Sequence, residues 1–340
     1  MEMLWELGIF AAKVVLLTVA FVAVVVVIAN LVQRMRPPRE HLELENLNER
    51  YQAFADAIKE VTLTHKELKA ERKAQAKRDK LSFKEIANKP KLFVLNFEGD
   101  LRALAVERLR DEITAILTAA TPNDEVVVKI DSTGGMVHAY GLAASQLLRL
   151  RDHGIKLTAC VDKVAASGGY MMACTADRLI AAPFAIIGSI GVVAQVPNFH
   201  RVLKKHDIDY EEMTAGEFKR TVSMLGEITP AGRKKFIEQL EDTHILFKDF
   251  VQRQRPKADL QQVATGEYWY GQRAVALGLV DELMSSDDYL FKQKERALIL
   301  QISLESKKTL GEKLAENFSM ATDRVLGRWQ QKLHDEQSLL

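Results

Sequence analysis

The run Val126 to Ile130 is apolar except for Lys129, and it leads directly into Asp131-Ser132-Thr133-Gly134-Gly135. A strand that is apolar on both sides belongs in a largely parallel sheet covered by helices, not on a sheet with one wet face. The neighbouring segments agree. Leu92 to Phe97 reads as a strand ended by Gly99, Leu101 to Ala120 has helical spacing, and Pro122-Asn123-Asp124 marks a turn. Met136 to Arg151 reads as a helix closed by His153-Gly154, and Lys156 to Val161 as the next strand. A short helix is expected over Gly168 to Ala176, strands over Arg178 to Ala182 and Ile186 to Gln195, and a long amphipathic helix over Ala231 to Arg255. Strands alternating with helices imply an α/β fold with right-handed crossovers.

The flanks differ in character. Leu7 to Ala29 is apolar except for Lys13 and Thr18, long enough to cross a hydrocarbon core of roughly 30 Å as a helix. Glu2 and Glu6 replace the basic start of a cleaved signal peptide, so the segment reads as a retained anchor. Arg34, Arg36 and Arg39 follow it, which under the positive-inside rule places the bulk of the chain in the cytoplasm. The expected organisation is an anchor at 1–33, a charged juxtamembrane helical region at 34–90, a catalytic module at 91–285 and a charged helical tail at 286–340. The basic cluster from Lys66 to Lys80 reads as an exposed helix face, or as a patch resting on anionic lipid.

Composition removes several classes. With 47 Lys+Arg against 46 Asp+Glu there is no basic excess to bind nucleic acid. Cys160 and Cys174 are the only cysteines, too few for a disulfide framework or a cysteine-rich metal site. No metal and no cofactor is expected.

The chemistry concentrates in four places. Gly134 and Gly135 follow one strand, and their lack of Cβ lets the backbone approach a ligand. Ser167-Gly168-Gly169 follows the next strand region and opens a helix. Gly188-Ser189-Ile190-Gly191 is the third feature, and Lys219 lies in Ala215-Gly216-Glu217-Phe218-Lys219-Arg220. Loops at the same edge of neighbouring parallel strands meet where open α/β sheets hold their sites. There Ser167 can act as a nucleophile beside backbone N–H groups that stabilise an oxyanion. Read alone, Ser167 also fits a helix N-cap, Lys219 a solvated lysine, Ser189 a turn hydroxyl and the glycine pair a tight turn. Tyr170, Met171 and Met172 read as packing, and Trp269 and Tyr270 as core or interface aromatics. None of the eight histidines sits in a catalytic motif. A desolvated lysine can take the place of histidine as base.

Taken in order, Asp131–Gly135, Ala166–Tyr170, Gly188–Gly191, Gly216–Lys219 and Leu277–Glu282 resemble the landmarks of the signal-peptide-peptidase-like serine proteases. That is the SppA/SohB family, and its SohB branch has the same single module, anchor and charged lead-in. The resemblance covers roughly Leu92 to Leu283. It implies a crotonase/Clp-protease-like αβ superhelix. It also implies Ser167 as nucleophile, Lys219 as general base, Ser189 orienting the lysine amine, and Gly134 and Gly168 as oxyanion-hole donors, with Gly135 as the second candidate. Thr133 departs from the family, where proline is commoner, and puts the Gly134 assignment most at stake. The family further implies a bacterial inner-membrane homo-oligomer with sites at or near subunit interfaces, acting on membrane-associated or unfolded peptides. By family analogy the module can also be periplasmic. The rival expectations are a crotonase-like acyl-thioester enzyme, which forms no covalent serine adduct, and a non-catalytic membrane scaffold.

Overall fold

A computed structural model describes residues 40–74 and 89–306. The anchor segment Leu7–Ala29, the C-terminal half of the basic cluster and residues 307–340 lie outside the described residues. Among the described residues no helix is long and apolar enough to cross a membrane.

The chain forms a mixed α/β fold around one branched sheet. The strands are β1 (Glu40–Asn46), β2 (Lys91–Gly99), β3 (Glu125–Ser132), β4 (Lys156–Val161), β5 (Val164–Ala166), β6 (Arg178–Ala181), β7 (Ile186–Gly188), β8 (Tyr268–Tyr270), β9 (Glu282–Leu283) and β10 (Leu298–Ser306). The helices are α1 (Leu47–Thr62), α2 (Val106–Ala119), α3 (Val137–Asp152), α4 (Gly168–Ala173), α5 (His200–Lys205), α6 (Pro230–Gln254), α7 (Leu260–Val263), α8 (Gly271–Ala276) and α9 (Ser286–Gln293). The main path runs β1-β10-β2-β3-β4-β6-β9, and a branch leaves β3 through β5 and β7 to β8. From β10 to β9, and from β3 to β7, the pairings are parallel; β7 and β8 pair antiparallel.

The expectation of a sheet covered on both faces holds in detail. Along β2 and β3, Phe93, Leu95, Phe97, Val126, Val128 and Ile130 enter the larger core with α2 and α3. The alternate residues Leu92, Val94 and Val127 enter a second core with Leu47, Tyr289 and Leu290 of α1 and α9. Alternation of side chains across a strand explains why both faces must be apolar.

The branch follows from strand length. β4 pairs with β3 only as far as Lys129↔Cys160, which leaves the last residues of β3 without a partner there. After the turn at Asp162-Lys163, β5 takes that place with Ser132↔Ala165, and β7 extends it with Ala166↔Gly188. The ends of β3, β5 and β7 therefore stand side by side.

Three stretches differ from the sequence reading. Residues 40–46, inside the segment read as charged and helical, form a strand. The strand expected over Ile186–Gln195 stops at Gly188, because β5, its parallel partner, ends at Ala166. Residues 286–306, read as the start of a helical tail, comprise α9 and β10. β10 pairs with β2 beside the centre of the sheet. The charge of the flanking residues masked the apolar run Leu298-Ile299-Leu300. Asn48 fastens this region: its amide donates to the carbonyls of Lys294 and Ala297 at 2.7 and 3.1 Å, and its carbonyl accepts from Ile299 N–H at 2.8 Å.

Candidate active site

Ser167 sits between β5 and α4 with φ 52° and ψ −119°. Positive φ is uncommon outside glycine and persists only where the surroundings enforce it. Here the enforcement is visible. Ser167 N–H donates to Gly188 O at 2.7 Å and its carbonyl accepts from Met171 N–H at 2.9 Å. Its hydroxyl caps nothing, although it precedes a helix. The N-cap reading of Ser167 is therefore not what the geometry shows. Ser167 is partly exposed, and its hydroxyl has no hydrogen bond among the described residues.

Gly134 stands beside it. Counting two residues on from Ser132↔Ala165 brings Gly134 level with Ser167. Gly134 has φ +88°, and a Cβ there would lie 2.8 Å from Ser167 Cβ and 2.6 Å from Gly168 N. The backbone thus approaches the serine as closely as only glycine allows. Gly134 N–H already donates to Ser132 Oγ at 3.1 Å. Met136 N–H donates to Leu101 O at 2.9 Å. Between them, the N–H of the partly exposed Gly135 has no acceptor among the described residues. Gly168 opens α4, so its N–H has no acceptor within the helix. Thr133 has an exposed side chain with no hydrogen bond among the described residues.

Ser189 follows β7 as Ser167 follows β5, and it too has positive φ, 52°. Its N–H donates to Glu267 O at 2.7 Å, and its hydroxyl reaches Gly266 O at a long 3.4 Å. The adjoining Ile190 carbonyl lies 3.1 Å from His244 Nε2 on α6. His244 thus supports this turn, a role no motif in the sequence marks. Ala103, Ser167 and Ser189 are three of the four positive-φ non-glycine residues among the described residues. Ala103 lies in the turn whose Leu101 carbonyl abuts Gly135.

α4 is fixed from below. Tyr170, Met171 and Met172 are buried, as packing residues should be, and Tyr170 OH donates to Leu279 O at 2.9 Å. Leu277–Glu282 is in turn held by Arg255, whose guanidinium grips Asp281 at 2.7 and 2.8 Å. Trp269 packs against the core with its indole N–H unpaired, while Tyr270 is largely exposed.

Lys219 makes no side-chain bond to this assembly among the described residues. It lies in an exposed turn, and its amine has no hydrogen bond or ion pair among the described residues. The whole stretch 192–229 carries almost no buried residue and exposes large apolar side chains, among them Val193 at 81% and Met213 at 88%. One chain thus brings together Ser167, Ser189, Gly134, Gly135 and Gly168, and among the described residues the Lys219 amine is bonded to none of them.

Comparison with known proteins gives this geometry its family. Residues 2–147 match the peptidase family S49 N-terminal model, and residues 149–299 match the peptidase family S49 model. The chain is 44% identical over 343 residues to the "Probable protease SohB" of Haemophilus influenzae, with 97% of each chain covered. The chain belongs to peptidase family S49. A "Probable protease SohB" of Buchnera aphidicola from Acyrthosiphon pisum is 51% identical over 239 residues, 70% of each chain. The "Protease 4" of H. influenzae is 28% identical and aligns over 64% of this chain and 36% of its own. The S49 membership makes the chain a protease. The junction of the two family models falls within α3, which runs unbroken through it. The candidate site draws on both matched segments, Gly134 and Gly135 from the first and Ser167, Gly168 and Ser189 from the second.

Proposed function

We propose that this S49 protease is a membrane-anchored serine endopeptidase that cleaves membrane-associated or unfolded peptides through a Ser167–Lys219 dyad. The observation that carries the reading is Ser167 itself: a strained, uncommitted hydroxyl level with Gly134 and adjoining the N–H of Gly168. Neutral Lys219 takes the Ser167 proton as Oγ attacks the peptide carbonyl. The oxyanion is held by Gly168 and by the Gly134–Gly135 pair, whose unclaimed N–H is that of Gly135. The C–N bond then breaks, Lys219 returns the proton to the leaving nitrogen, and water releases the acyl group by the same route. Ser189 orients the lysine amine. No metal or organic cofactor takes part. The branched sheet fits a crotonase/Clp-like superhelix, with Leu7–Ala29 as anchor in a bacterial inner membrane.

The exposed state of Lys219 favours a dyad shared between subunits. An apolar arm with almost no core of its own needs a covering surface, and a second copy of the chain supplies one. Covering the arm would also desolvate the amine that must act as base.

The test uses a fluorophosphonate probe on the full chain in membranes. Wild type labels; Ser167→Ala and Lys219→Ala do not. Co-assembled Ser167→Ala and Lys219→Ala chains regain labelling, because some interfaces then hold an intact Ser167 and an intact Lys219. Labelling that survives Ser167→Ala rejects the nucleophile. Co-assembly without recovery rejects the shared dyad and leaves one within each chain.

A further inference from the structure

Beneath Ser167 lies a chain of buried polar atoms that the proposed mechanism does not use. Gly134 N–H donates to Ser132 Oγ at 3.1 Å, Ser132 Oγ lies 2.6 Å from Tyr140 Oη, and Tyr140 OH donates to Asp100 O at 2.7 Å. The ends fix the direction of the middle. An amide N–H can only donate and a carbonyl can only accept. The single phenolic proton goes to Asp100, so Ser132 must donate to Tyr140, and its lone pair then faces Gly134. Ser132 and Tyr140 are buried, and burial pushes the Tyr140 phenol above its usual range, so its proton stays in place. A one-way chain of this kind polarises each member and resists rearrangement.

The surroundings leave the node no slack. A Cβ at Gly99 would overlap Ser132 Oγ and Tyr140 Oη, and one at Gly168 would overlap the Tyr140 ring. The end of β2 and the first turn of α4 both close on these two side chains.

The consequence falls on the oxyanion loop. Its Gly134 amide is claimed by Ser132 and its Met136 amide by Leu101 O, next to Asp100. The amide between them, Gly135, is the free one, and Gly135 is also more exposed than the buried Gly134. We infer that Ser132 and Tyr140 are positioning residues: by holding the Gly134 amide inward they aim the Gly135 N–H at the substrate carbonyl. The inference rests on Ser167 being the nucleophile.

The experiment measures inactivation by the fluorophosphonate, kinact and KI separately, together with the melting temperature, for the full chain in membranes. Wild-type labelling lost in Ser167→Ala first establishes the nucleophile; without it both readings fall. Given that, Ser132→Ala lowers kinact on the order of 10- to 100-fold with KI nearly constant, because a misaimed donor fails in the transition state and not in encounter. Tyr140→Phe keeps the ring and lowers kinact in the same direction. The double variant is no slower than Ser132→Ala by more than about threefold, as one chain of bonds is broken only once. A purely structural role would lower the melting temperature and leave kinact per folded molecule unchanged. Wild-type kinact in either folded single variant overturns the inference, and so does additive loss in the double.

Discussion

Replacing Gly134 by alanine separates two effects that usually travel together, because the molecule contains its own control. Gly134 has φ +88° and Gly154 has φ +73°, both in a region that costs an L-residue about 1–2 kcal/mol. At Gly154, which ends α3, an added Cβ meets nothing within 4 Å. Gly154→Ala therefore carries the backbone strain alone. For a unit of this size that is a fall of roughly 2–8 °C in melting temperature, with normal labelling of Ser167. At Gly134 the same Cβ would stand 2.6 Å from Gly168 N and 2.8 Å from both Ala166 O and Ser167 Cβ. Ordinary contact begins near 3.4 Å, so the loop and the start of α4 must part by about 0.8 Å. The atoms that move are the proposed nucleophile and its proposed oxyanion donors. Misplacement near 1 Å costs on the order of 100-fold in rate. Gly134→Ala should thus melt no higher than Gly154→Ala and label at least about 100-fold more slowly. The assay is fluorophosphonate labelling of the full chain in membranes, with thermal unfolding in parallel. A folded Gly134→Ala enzyme that labels within about threefold of wild type, less than 1 kcal/mol of barrier, would refute the claim that this close approach is catalytic geometry.

Two further outcomes follow from the frame around the site. Burial alone would raise the Asp281 carboxyl, but the Arg255 fork, the Leu179 N–H and the nearby positive charge outweigh it and hold the group below its usual range. Asp281→Asn should cost about 2 kcal/mol at neutral pH, less than a fully buried pair because Asp281 is partly exposed. Since the folded value is depressed, that stability is complete above about pH 4 and is lost as pH falls through the folded value, so the melting-temperature gap closes in acid. Cys160 and Cys174 are buried, and burial drives both thiols up, Cys174 to about 12. Iodoacetamide should leave the folded protein unmodified and its labelling intact. Rapid alkylation with loss of activity, read by mass spectrometry, would contradict this.

What the sequence revealed depended on how local the cause was. β2, β3, β4, α3 and α6 were legible because apolar periodicity and end signals such as Gly99 and Gly154 are local. The clustering of Gly134 with Ser167 was legible through topology, since loops after adjacent parallel strands share an edge; Ser189, expected inside a strand, joined them only through the family resemblance. β10 was not, because its apolar run is short and sits between charged segments, and its partner β2 lies some 200 residues earlier in the chain. Tyr140 was missed although a signal existed. It shares the buried face of α3 with Ala143, Ala144 and Leu147, and a phenol on an apolar face needs a partner for its hydroxyl. That partner is Ser132, a residue visible in the motif but overshadowed by the glycines after it.

The strained residues point the same way. A positive φ at Ala103, Ser167 or Ser189 is unfavourable locally, so each must be held by something distant. Ser167 is held by Gly188, Ser189 by Glu267, and the Leu101–Ala103 turn by the Tyr140–Asp100 bond and Met136. Local pattern cannot encode such positions, because local preference opposes them. Lys219 is the complementary case. Its turn is closed only locally, by Lys219 N–H donating to Gly216 O at 3.1 Å, and among the described residues nothing bonds its amine. A proposed nucleophile built to this tolerance, with its proposed base left free, is the division expected when the base completes the site of another copy. On that reading, breaking the assembly should abolish labelling of Ser167 without disturbing the fold that strains it.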